Sequence, residues 1–265
     1  MKGRVLIIAG SDSGGGAGIQ ADIKAVTALN GFAMTAIAAL TAQNTEGVFG
    51  IHAVPVDFVR LQMRLCLTDL GADCLKTGML ATAAMIEGVV AEIEANAAAV
   101  PLVVDPVMVA KGGDRLLAED ATTALIERLL PRATLITPNL PEAEVLSGLR
   151  IAGLDDMALV GRRLLDKGVQ AVLMKGGHLP GPQATDVLVT PQGIERYESP
   201  RIATRHTHGT GCTLASAIAT GIAQGLPLAD AVRRARDYVL EAIRTAPGYG
   251  KGHGPLNHAH TVRSS

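Results

Sequence analysis

The sequence predicts an α/β protein with a mainly parallel central sheet that is covered by helices on both faces. Short apolar runs alternate with segments of helical periodicity along most of the 265 residues. The apolar runs at 5–9 and 102–104 are continuous rather than alternating, which is typical of strands buried on both faces. Polar or glycine-rich loops follow most of these runs, and in open α/β sheets ligands bind at the carboxyl ends of the strands.

The elements follow in order along the chain. The apolar runs predict strands at 5–9, 33–42, 47–54, 74–79, 102–104, 133–137 and 171–174. The ranges 186–189 and 193–198, joined near Pro191-Gln-Gly, predict a hairpin. Helical periodicity covers 19–29, 58–70, 154–167 and 228–244. Further helices are predicted after Thr82, which is placed to cap one of them, near Asn139 and after Gly211.

No linker interrupts this alternation of strands and helices. Residues 1–248 are therefore predicted to form a single domain. Residues 249–265 are rich in Gly, His and Arg, and we expect them to form a flexible C-terminal tail.

The composition excludes several classes of partner. The net charge is −1 and aromatic residues make up 2% of the chain, which leaves no basic surface and few stacking side chains for nucleic acid. No run approaches the roughly 18 apolar residues of a membrane span, and the run at 5–9 is too short for the core of a signal peptide. The three cysteines, Cys66, Cys74 and Cys212, contain no C-x-x-C pair, so we expect free thiols in a reducing cytoplasm.

The loop before the last long apolar segment is the first candidate for a functional site. Gly209, Thr210 and Gly211 precede a predicted helix, whose unpaired amides and positive dipole end would bind an anion such as phosphate. Cys212 lies at the same helix start, where a thiol is expected to ionise more easily than a free one. This arrangement suits phosphoryl transfer to an alcohol. The alternative is a glycine turn before a buried helix, with Cys212 as a small core residue.

Polar groups follow several other predicted strands. Asp105 follows the run at 102–104, where a carboxylate could hold Mg²⁺ through water; the alternative is an Asp that caps the loop. Asn139 and Glu142 lie three apart at a helix start and can face one site, although Glu142 is also explained as a carboxylate stabilised by the helix dipole. Lys175 follows the strand at 171–174 and can reach a phosphate as a point charge.

The first strand ends in a second glycine-rich loop, Gly10-Ser-Asp-Ser-Gly-Gly-Gly-Ala-Gly. A dinucleotide fingerprint is only weakly indicated, because the acidic residue expected after the second strand is missing. A glycine-rich wall beside a small polar substrate is an equally good interpretation. Asp22 and Gln43 could face such a substrate, with the amide of Gln43 suited to the edge of a heterocycle. Asp22 is equally explained as a solvated carboxylate at a helix start, and Gln43 as a loop amide. Met79 could line the pocket, and the glycine loop beginning at Lys111 is a candidate lid.

Seven of these motifs occur in the order found in a known family. They are Gly10-Ser-Asp-Ser-Gly-Gly-Gly-Ala-Gly, Gln43-Asn-Thr, Lys76-Thr-Gly-Met, Asp105-Pro-Val-Met, Thr137-Pro-Asn-Leu-Pro-Glu-Ala, Lys175-Gly-Gly-His and His208-Gly-Thr-Gly-Cys-Thr. Together they resemble the bacterial hydroxymethylpyrimidine/phosphomethylpyrimidine kinases, which are thiamine-biosynthesis enzymes of the ribokinase superfamily. The resemblance covers residues 5 to about 245.

The resemblance implies a ribokinase-like three-layer α/β/α fold, with ATP and Mg²⁺ as cofactors. It implies phosphorylation of 4-amino-5-hydroxymethyl-2-methylpyrimidine and then of its monophosphate to the diphosphate. Cys212 takes the place of the superfamily's usual Asp base, Asn139 and Glu142 match the Asn-x-x-Glu motif near Mg²⁺ and the phosphates, and Lys175 matches a phosphate-contacting lysine. In this family the pyrimidine pocket is lined at the positions of Gly10, Ala17, Asp22, Gln43, Met79 and Val107. Dimers are common in the family, which makes a homodimer a candidate assembly.

Three rival functions are kept open. A pyridoxal or pyridoxine kinase would share this fold and act on a similar flat ring that carries a hydroxymethyl group, so turnover of the two alcohols separates the candidates. A catalytically silent pyrimidine-binding protein is disfavoured by the presence of Cys212, Asn139, Glu142 and Lys175, and an ATP-consumption assay would exclude it. A dehydrogenase is supported only by the first glycine loop, and absence of nicotinamide binding would exclude it.

Overall fold

The computed structural model describes residues 1–108 and 119–262. The glycine loop that begins at Lys111, predicted as a lid, lies outside the described residues. The strands are β1 (Arg4–Asp12), β2 (Phe32–Gln43), β3 (Val48–Ala53), β4 (Cys74–Thr77), β5 (Leu102–Val104), β6 (Leu135–Ile136), β7 (Val172–Met174), β8 (Gln183–Thr190) and β9 (Gly193–Pro200).

These strands form one nine-stranded sheet in the order β3-β2-β1-β4-β5-β6-β7-β8-β9. Neighbouring strands from β2 to β7 in this order are parallel, whereas β3 pairs antiparallel with β2 at one edge. The predicted hairpin is confirmed, since β8 pairs antiparallel with β9 and joins β7 at the other edge.

The helices are α1 (Gly18–Ala28), α2 (Val56–Asp69), α3 (Ala83–Asn96), α4 (Glu119–Ala124), α5 (Leu140–Ser147), α6 (Leu154–Leu165), α7 (Thr210–Ala223) and α8 (Leu228–Arg244). Thr82 caps α3 as predicted, because its Oγ1 accepts a hydrogen bond from the Met85 amide at 3.2 Å. The sequence analysis missed α4 and the π-helical and 3₁₀ turns that continue it over Leu125–Leu129 and Leu130–Arg132.

Alternate side chains of β1 face two different apolar layers. Leu6 and Ile8 pack in the layer that also contains residues of α2 to α6. Val5 and Ile7 pack in the layer formed with α1, α7 and α8. Because both faces of the strand are buried, its sequence shows a continuous apolar run rather than an alternating one. The predicted α/β class with a mainly parallel sheet covered on both faces is confirmed. Among the described residues, every helix is too short or too polar to cross a bilayer.

The strand order changes direction at β1. Its sheet neighbours are β2 on one side and β4 on the other. The chain runs from β1 through β2 to β3 at one edge of the sheet, whereas the strands from β4 onwards lie on the other side of β1. In open parallel sheets a crevice forms outside the carboxyl ends of the strands at such a point, and ligands bind there. The topology therefore places the loops after β1, β4 and β5 around one crevice.

The C-terminal segment differs from the flexible tail that its composition predicted. In the described part of this segment, residues 249–262, Leu256 is 4% exposed and His258 is 7% exposed. The Tyr238 hydroxyl of α8 donates to the His258 carbonyl oxygen at 2.8 Å, and the Asn257 amide donates to the Ala242 carbonyl oxygen at 3.0 Å. The prediction was wrong for these residues because Gly, His and Arg content does not reveal partners on a distant helix.

The buried His258 ring yields a prediction about stability and pH. Burial lowers the pKa of His258 from 6.5 to about 4, so the folded protein favours the neutral ring. The unfolded chain takes up this proton at a higher pH, so the free energy of unfolding should fall as the pH drops from 6.5 towards 4. Relative to His258→Gln, we expect the wild-type protein to lose up to about 3 kcal/mol over this range.

Urea titrations at several pH values measure this difference. His253→Gln removes an exposed histidine from the same segment and should retain the wild-type dependence on pH. Parallel pH profiles for the wild-type protein and His258→Gln would contradict the prediction.

Candidate active site

A cavity of about 800 Å³ opens at the crevice predicted by the strand order. Its walls come from the loops after β1, β4 and β5, from the start of α7 and from one side of α8. Thirteen of the fourteen residues that the sequence analysis assigned to a site line it, namely Gly10, Ala17, Gln43, Met79, Asp105, Val107, Asn139, Glu142, Lys175, Gly209, Thr210, Gly211 and Cys212. Asp22 is the one that does not.

The start of α7 has the geometry of an anion site. Gly209 precedes the helix with φ of 81°, and a Cβ there would overlap the carbonyl oxygen of Gly16. The Thr213 amide donates to the Gly209 carbonyl oxygen at 2.9 Å and closes the first turn. The amides of Gly211 and Cys212 donate to no acceptor in the described residues, as expected for the first turn of a helix. Both amides lie at the cavity wall and can bind phosphate oxygens there.

Two charged side chains lie against this first turn. A Cβ at Gly211 would stand 3.2 Å from Lys175 Nζ and 3.5 Å from Asp105 Oδ2, so glycine at this position admits both groups. Lys175 Nζ lies 3.1 Å from Asp105 Oδ1, and the Thr137 hydroxyl donates to the same oxygen at 3.2 Å. A cation and a carboxylate therefore stand side by side next to the free amides.

Cys212 is half-buried at the cavity wall, but its ionisation differs from the expectation. Burial raises the pKa of Cys212 to about 12, and the carboxylates of Asp22 and Asp105 add to this shift. The Lys76 cation and the Gly18 amide oppose it but do not outweigh it. The prediction that the helix start makes this thiol easier to ionise is therefore wrong for the ligand-free protein. Its sulfur carries a proton at neutral pH.

Asn139 and Glu142 form a reciprocal cap at the start of α5. Asn139 Oδ1 accepts from the Glu142 amide at 2.9 Å, and Glu142 Oε2 accepts from the Asn139 amide at 2.8 Å. Burial raises the pKa of Glu142 to about 7, against the opposing effect of Lys175. The two interpretations of Glu142 are thus compatible, because it caps the helix and also lines the cavity.

The carboxylates of Asp105 and Glu142 fit a magnesium ion that is bound together with phosphates. Among the described residues there is no group of three or more His, Cys, Asp and Glu side chains that could enclose a metal. Mg²⁺ usually keeps several waters and uses one or two carboxylates plus substrate phosphates rather than a full protein cage. Two carboxylates beside a row of free amides match that pattern.

Asp22 lies beneath the cavity rather than in its wall. Its side chain is fully buried, and its two carboxylate oxygens accept from Lys76 Nζ at 3.0 and 2.9 Å. The Ser216 hydroxyl of α7 donates to the same carboxylate at 2.7 Å. The structure thus corrects the expectation that Asp22 lines the substrate pocket: its helix turns this side chain into the core, where it joins α1, β4 and α7.

Sequence reasoning missed a side-chain hydrogen bond between the two glycine loops. His208 Nε2 lies 2.8 Å from Asp12 Oδ2 and 3.2 Å from Gln43 Nε2. The Asp12 carboxylate also accepts from the amides of Gly14 and Ala17 at 2.7 and 2.8 Å. Burial alone would raise the pKa of Asp12, but hydrogen bonds to His208 and these amides hold it below its usual value. Asp12 and His208 each lie in a motif recognised in the sequence. A polar side chain within a glycine-rich loop was the signal that could have indicated this contact.

Part of the cavity lining is apolar. It includes Leu240 and Ile243 of α8 together with Pro200 and Ile202, which we call the apolar slot. Arg236 also lines the cavity, and its Nε donates to Asp186 Oδ2 at 3.0 Å. The sequence analysis placed the adenine pocket only in the general area of the last two helices. Helix periodicity does not show which helix faces line a cavity.

Comparison with known proteins identifies the relatives of this chain. A family model described as phosphomethylpyrimidine kinase matches residues 12–257. The thiamine biosynthesis bifunctional protein ThiED of Geobacter sulfurreducens is 51% identical over 257 residues, which cover 97% of this chain and 52% of that protein. The chain thus spans about half the length of that relative.

Two further similarities cover nearly the whole of both chains. The hydroxymethylpyrimidine/phosphomethylpyrimidine kinase of Bacillus subtilis is 46% identical over 263 residues, covering 99% of this chain and 97% of that protein. The structure of the pyridoxal kinase from Staphylococcus aureus in complex with AMP-PCP and pyridoxal has a TM-score of 0.90 and 33% identity, covering 99% of this chain and 96% of that chain.

The nine-stranded sheet and a cavity lined by free amides, lysines and carboxylates define a kinase of the ribokinase-like fold. The match over residues 12–257 and the identity to full-length relatives specify the group further. The chain belongs to the phosphomethylpyrimidine kinase family, and the predicted resemblance is confirmed.

The raised pKa of Cys212 yields a prediction about thiol reactivity. Alkylating reagents attack the thiolate, so the rate at Cys212 in the ligand-free protein should rise continuously from pH 7 to pH 10, because the pKa lies at about 12. Mass spectrometry of the modified peptide measures this rate, with the half-buried Cys66 as an internal comparison. A plateau in the rate near pH 8 would contradict the prediction and support an easily ionised thiol.

Proposed function

We propose that this chain is an ATP-dependent kinase that acts twice on one pyrimidine. It transfers a phosphoryl group to the hydroxymethyl oxygen of 4-amino-5-hydroxymethyl-2-methylpyrimidine, and then a second group to the resulting monophosphate. The observation that supports this most directly is the approach of Lys175 and Asp105 to Gly211, directly beside Cys212. One cavity thereby holds phosphate-binding groups and a candidate proton acceptor in adjacent positions.

The acceptor side of the cavity suits a small flat ring. Gly10 and Ala17 supply a wall without bulky side chains, and Met79 and Val107 supply apolar surface. Gln43 offers an amide to the ring edge, and its Oε1 accepts from the Thr41 hydroxyl at 3.1 Å, which restricts its orientation. We assign the pyrimidine to this part of the cavity.

The phosphate side consists of backbone amides and one lysine. The Gly211 and Cys212 amides, together with Thr210 and the cationic Lys175, would bind the oxygens of the transferring group and balance its charge. Asn139 lines the same cavity and forms a β-bridge with Lys175. The apolar slot along α8 then receives the adenine ring.

Asp105 and Glu142 would hold Mg²⁺ in this arrangement. The ion supplies positive charge that neutralises the β- and γ-phosphate oxygens. Asp105 stands beside the phosphate site and raises the pKa of Cys212 in the ligand-free protein. A bound Mg²⁺ would offset the negative charge of Asp105 and so remove one of the causes that raise the pKa of Cys212.

The first phosphorylation needs a proton acceptor. The hydroxymethyl oxygen forms its bond to the γ-phosphorus as the bond between that phosphorus and the β,γ-bridging oxygen breaks, and the hydroxyl proton passes to the Cys212 sulfur. For this transfer the thiol must first release its own proton to solvent as the ligands bind, and Lys76 is the cation that favours the resulting thiolate. The second acceptor is a phosphate monoester whose second pKa is about 6, so it is already an anion at neutral pH and needs no base.

A pyridoxal kinase is the second candidate. The similarity to the Staphylococcus aureus pyridoxal kinase structure supports it, because that protein shares the fold over nearly the whole chain. The 46% identity to the Bacillus subtilis hydroxymethylpyrimidine/phosphomethylpyrimidine kinase exceeds the 33% identity to that pyridoxal kinase and favours the pyrimidine alcohol.

The proposal extends to the partners, the cellular compartment and the oligomeric state. The partners we propose are ATP and a small pyrimidine, without nucleic acid or a membrane. The free cysteines Cys66, Cys74 and Cys212 fit a reducing cytoplasm. A homodimer remains a proposal that a mass measurement in solution would test.

The proposed substrate is tested by comparing two alcohols. With Mg²⁺ and ATP, we expect kcat/KM for the hydroxymethylpyrimidine to exceed that for pyridoxine by about tenfold or more, since the pocket must discriminate by ring contacts alone. Coupled detection of ADP measures both rates. Turnover of pyridoxine without turnover of the pyrimidine would establish the second candidate instead.

The proposed proton transfer predicts a difference between the two steps. Cys212→Ala should lower kcat of the first phosphorylation by about 10²-fold or more, which is the usual contribution of a positioned base. The second phosphorylation should change by less than about fivefold, because its acceptor is already ionised. Product quantification with each acceptor separately measures the difference, and Cys66→Ala serves as the control.

Equal losses in the two steps would show that Cys212 shapes the loop rather than accepting a proton.

A further inference from the structure

The C-terminal segment contacts both ends of the phosphate-binding loop. On the near side, the amide of His208 donates to the Gly254 carbonyl oxygen at 3.2 Å, and His208 forms a bridge with Pro255. On the far side, Thr213 Oγ1 lies 2.9 Å from His258 Nε2. These contacts flank the loop from Gly209 to Cys212, so residues 254–258 form a clamp across the outside of the site.

The contact between Thr213 and His258 is closed to solvent. Thr213 is fully buried and His258 is 7% exposed. Since burial lowers the pKa of His258 to about 4, the ring is neutral at physiological pH and one ring nitrogen is an acceptor. The Thr213 hydroxyl can donate to Nε2, while the Tyr238 hydroxyl donates to the His258 carbonyl oxygen at 2.8 Å and fixes the backbone of the clamp.

Thr213 is well placed to transmit this contact to the site. It follows Cys212 directly, and its own amide closes the first turn of α7 on the Gly209 carbonyl oxygen. One turn further along α7, Ser216 donates to the buried Asp22 carboxylate at 2.7 Å. The start of α7 is therefore held from two directions. The core holds it at Ser216, and the C-terminal segment holds it at Thr213.

We propose that His258 is a positioning residue of this active site, acting through Thr213 to hold the Cys212 sulfur in place. It does not reach the cavity, and its effect on the reaction passes through the first turn of α7. The kinetic part of this inference rests on the function proposed above.

The test compares four single variants with the wild-type protein. His258→Leu removes the acceptor, and His258→Gln retains one at a similar distance. Thr213→Val removes the hydroxyl without changing the shape of the side chain. His260→Leu is the matched control, because His260 lies in the same segment and contacts the Tyr238 carbonyl oxygen at 3.0 Å rather than α7.

We expect His258→Leu and Thr213→Val each to lower kcat of the first phosphorylation by about tenfold, and the second by less than about threefold, because only the first step needs the sulfur in place. KM for ATP should change by less than about twofold. The double variant with His258→Leu and Thr213→Val should have about the same kcat as either single variant, since both substitutions remove the same interaction. His258→Gln should recover most of the activity, and His260→Leu should resemble the wild-type protein.

A second readout does not depend on any substrate. The alkylation rate of Cys212 at pH 9 should change by about threefold or more in His258→Leu and Thr213→Val, and not in His260→Leu, because only the first two move the sulfur. If the chain phosphorylates neither alcohol, the proposed function fails while this measurement still decides the role of His258. An unchanged alkylation rate, or equal losses in His258→Leu and His260→Leu, would overturn the proposal.

Discussion

The active site depends on the close approach of two glycine loops. The carbonyl oxygen of Gly16 lies where a Cβ of residue 209 would stand, so the loop before α7 can reach the end of β1 only with glycine at this position. The same approach brings His208 to Asp12 and points the Gly18 amide towards the Cys212 sulfur. A strand end and a helix start that are far apart in sequence thereby share one wall, and the other groups of the cavity are arranged around it.

Buried charge fixes the orientation of α7 behind that wall. Lys76 and Asp22 pair without solvent exposure, and Ser216 of α7 completes the carboxylate's hydrogen bonds. Burial by itself lowers the pKa of Lys76, but the Asp22 and Asp105 carboxylates together with Cys212 raise it above its usual value, so the amine stays charged. Removing one partner of a buried pair typically costs roughly 3–5 kcal/mol, because the other charge is left without compensation. Asp22 therefore belongs to the support of the site, where it also acts on the ionisation of Cys212.

The sequence predicted most of the fold because its signals are local. Strand runs, the Thr82 cap and the helix starts depend on neighbours along the chain, and they appear where expected. The misjudged features all depend on distant partners. A helical position for Asp22 does not say which face meets β4, and the ionisation of Cys212 is governed by burial and by Asp105 rather than by its own helix alone. The packing of His258 depends on α7 and α8, which the composition of the last residues cannot show.

The pairing of Lys175 with Asp105 explains how one site can serve an anion and a cation. In the ligand-free protein the two groups lie 3.1 Å apart and neutralise each other next to the free amides of α7. Lys175 is suited to phosphate oxygens and Asp105 to a divalent cation. Their contact holds each side chain at the position where its own ligand would bind. A buried charge without such a partner would carry a large desolvation cost. Mutual pairing orients both groups before the substrates bind, and this preorganisation is what electrostatic catalysis requires.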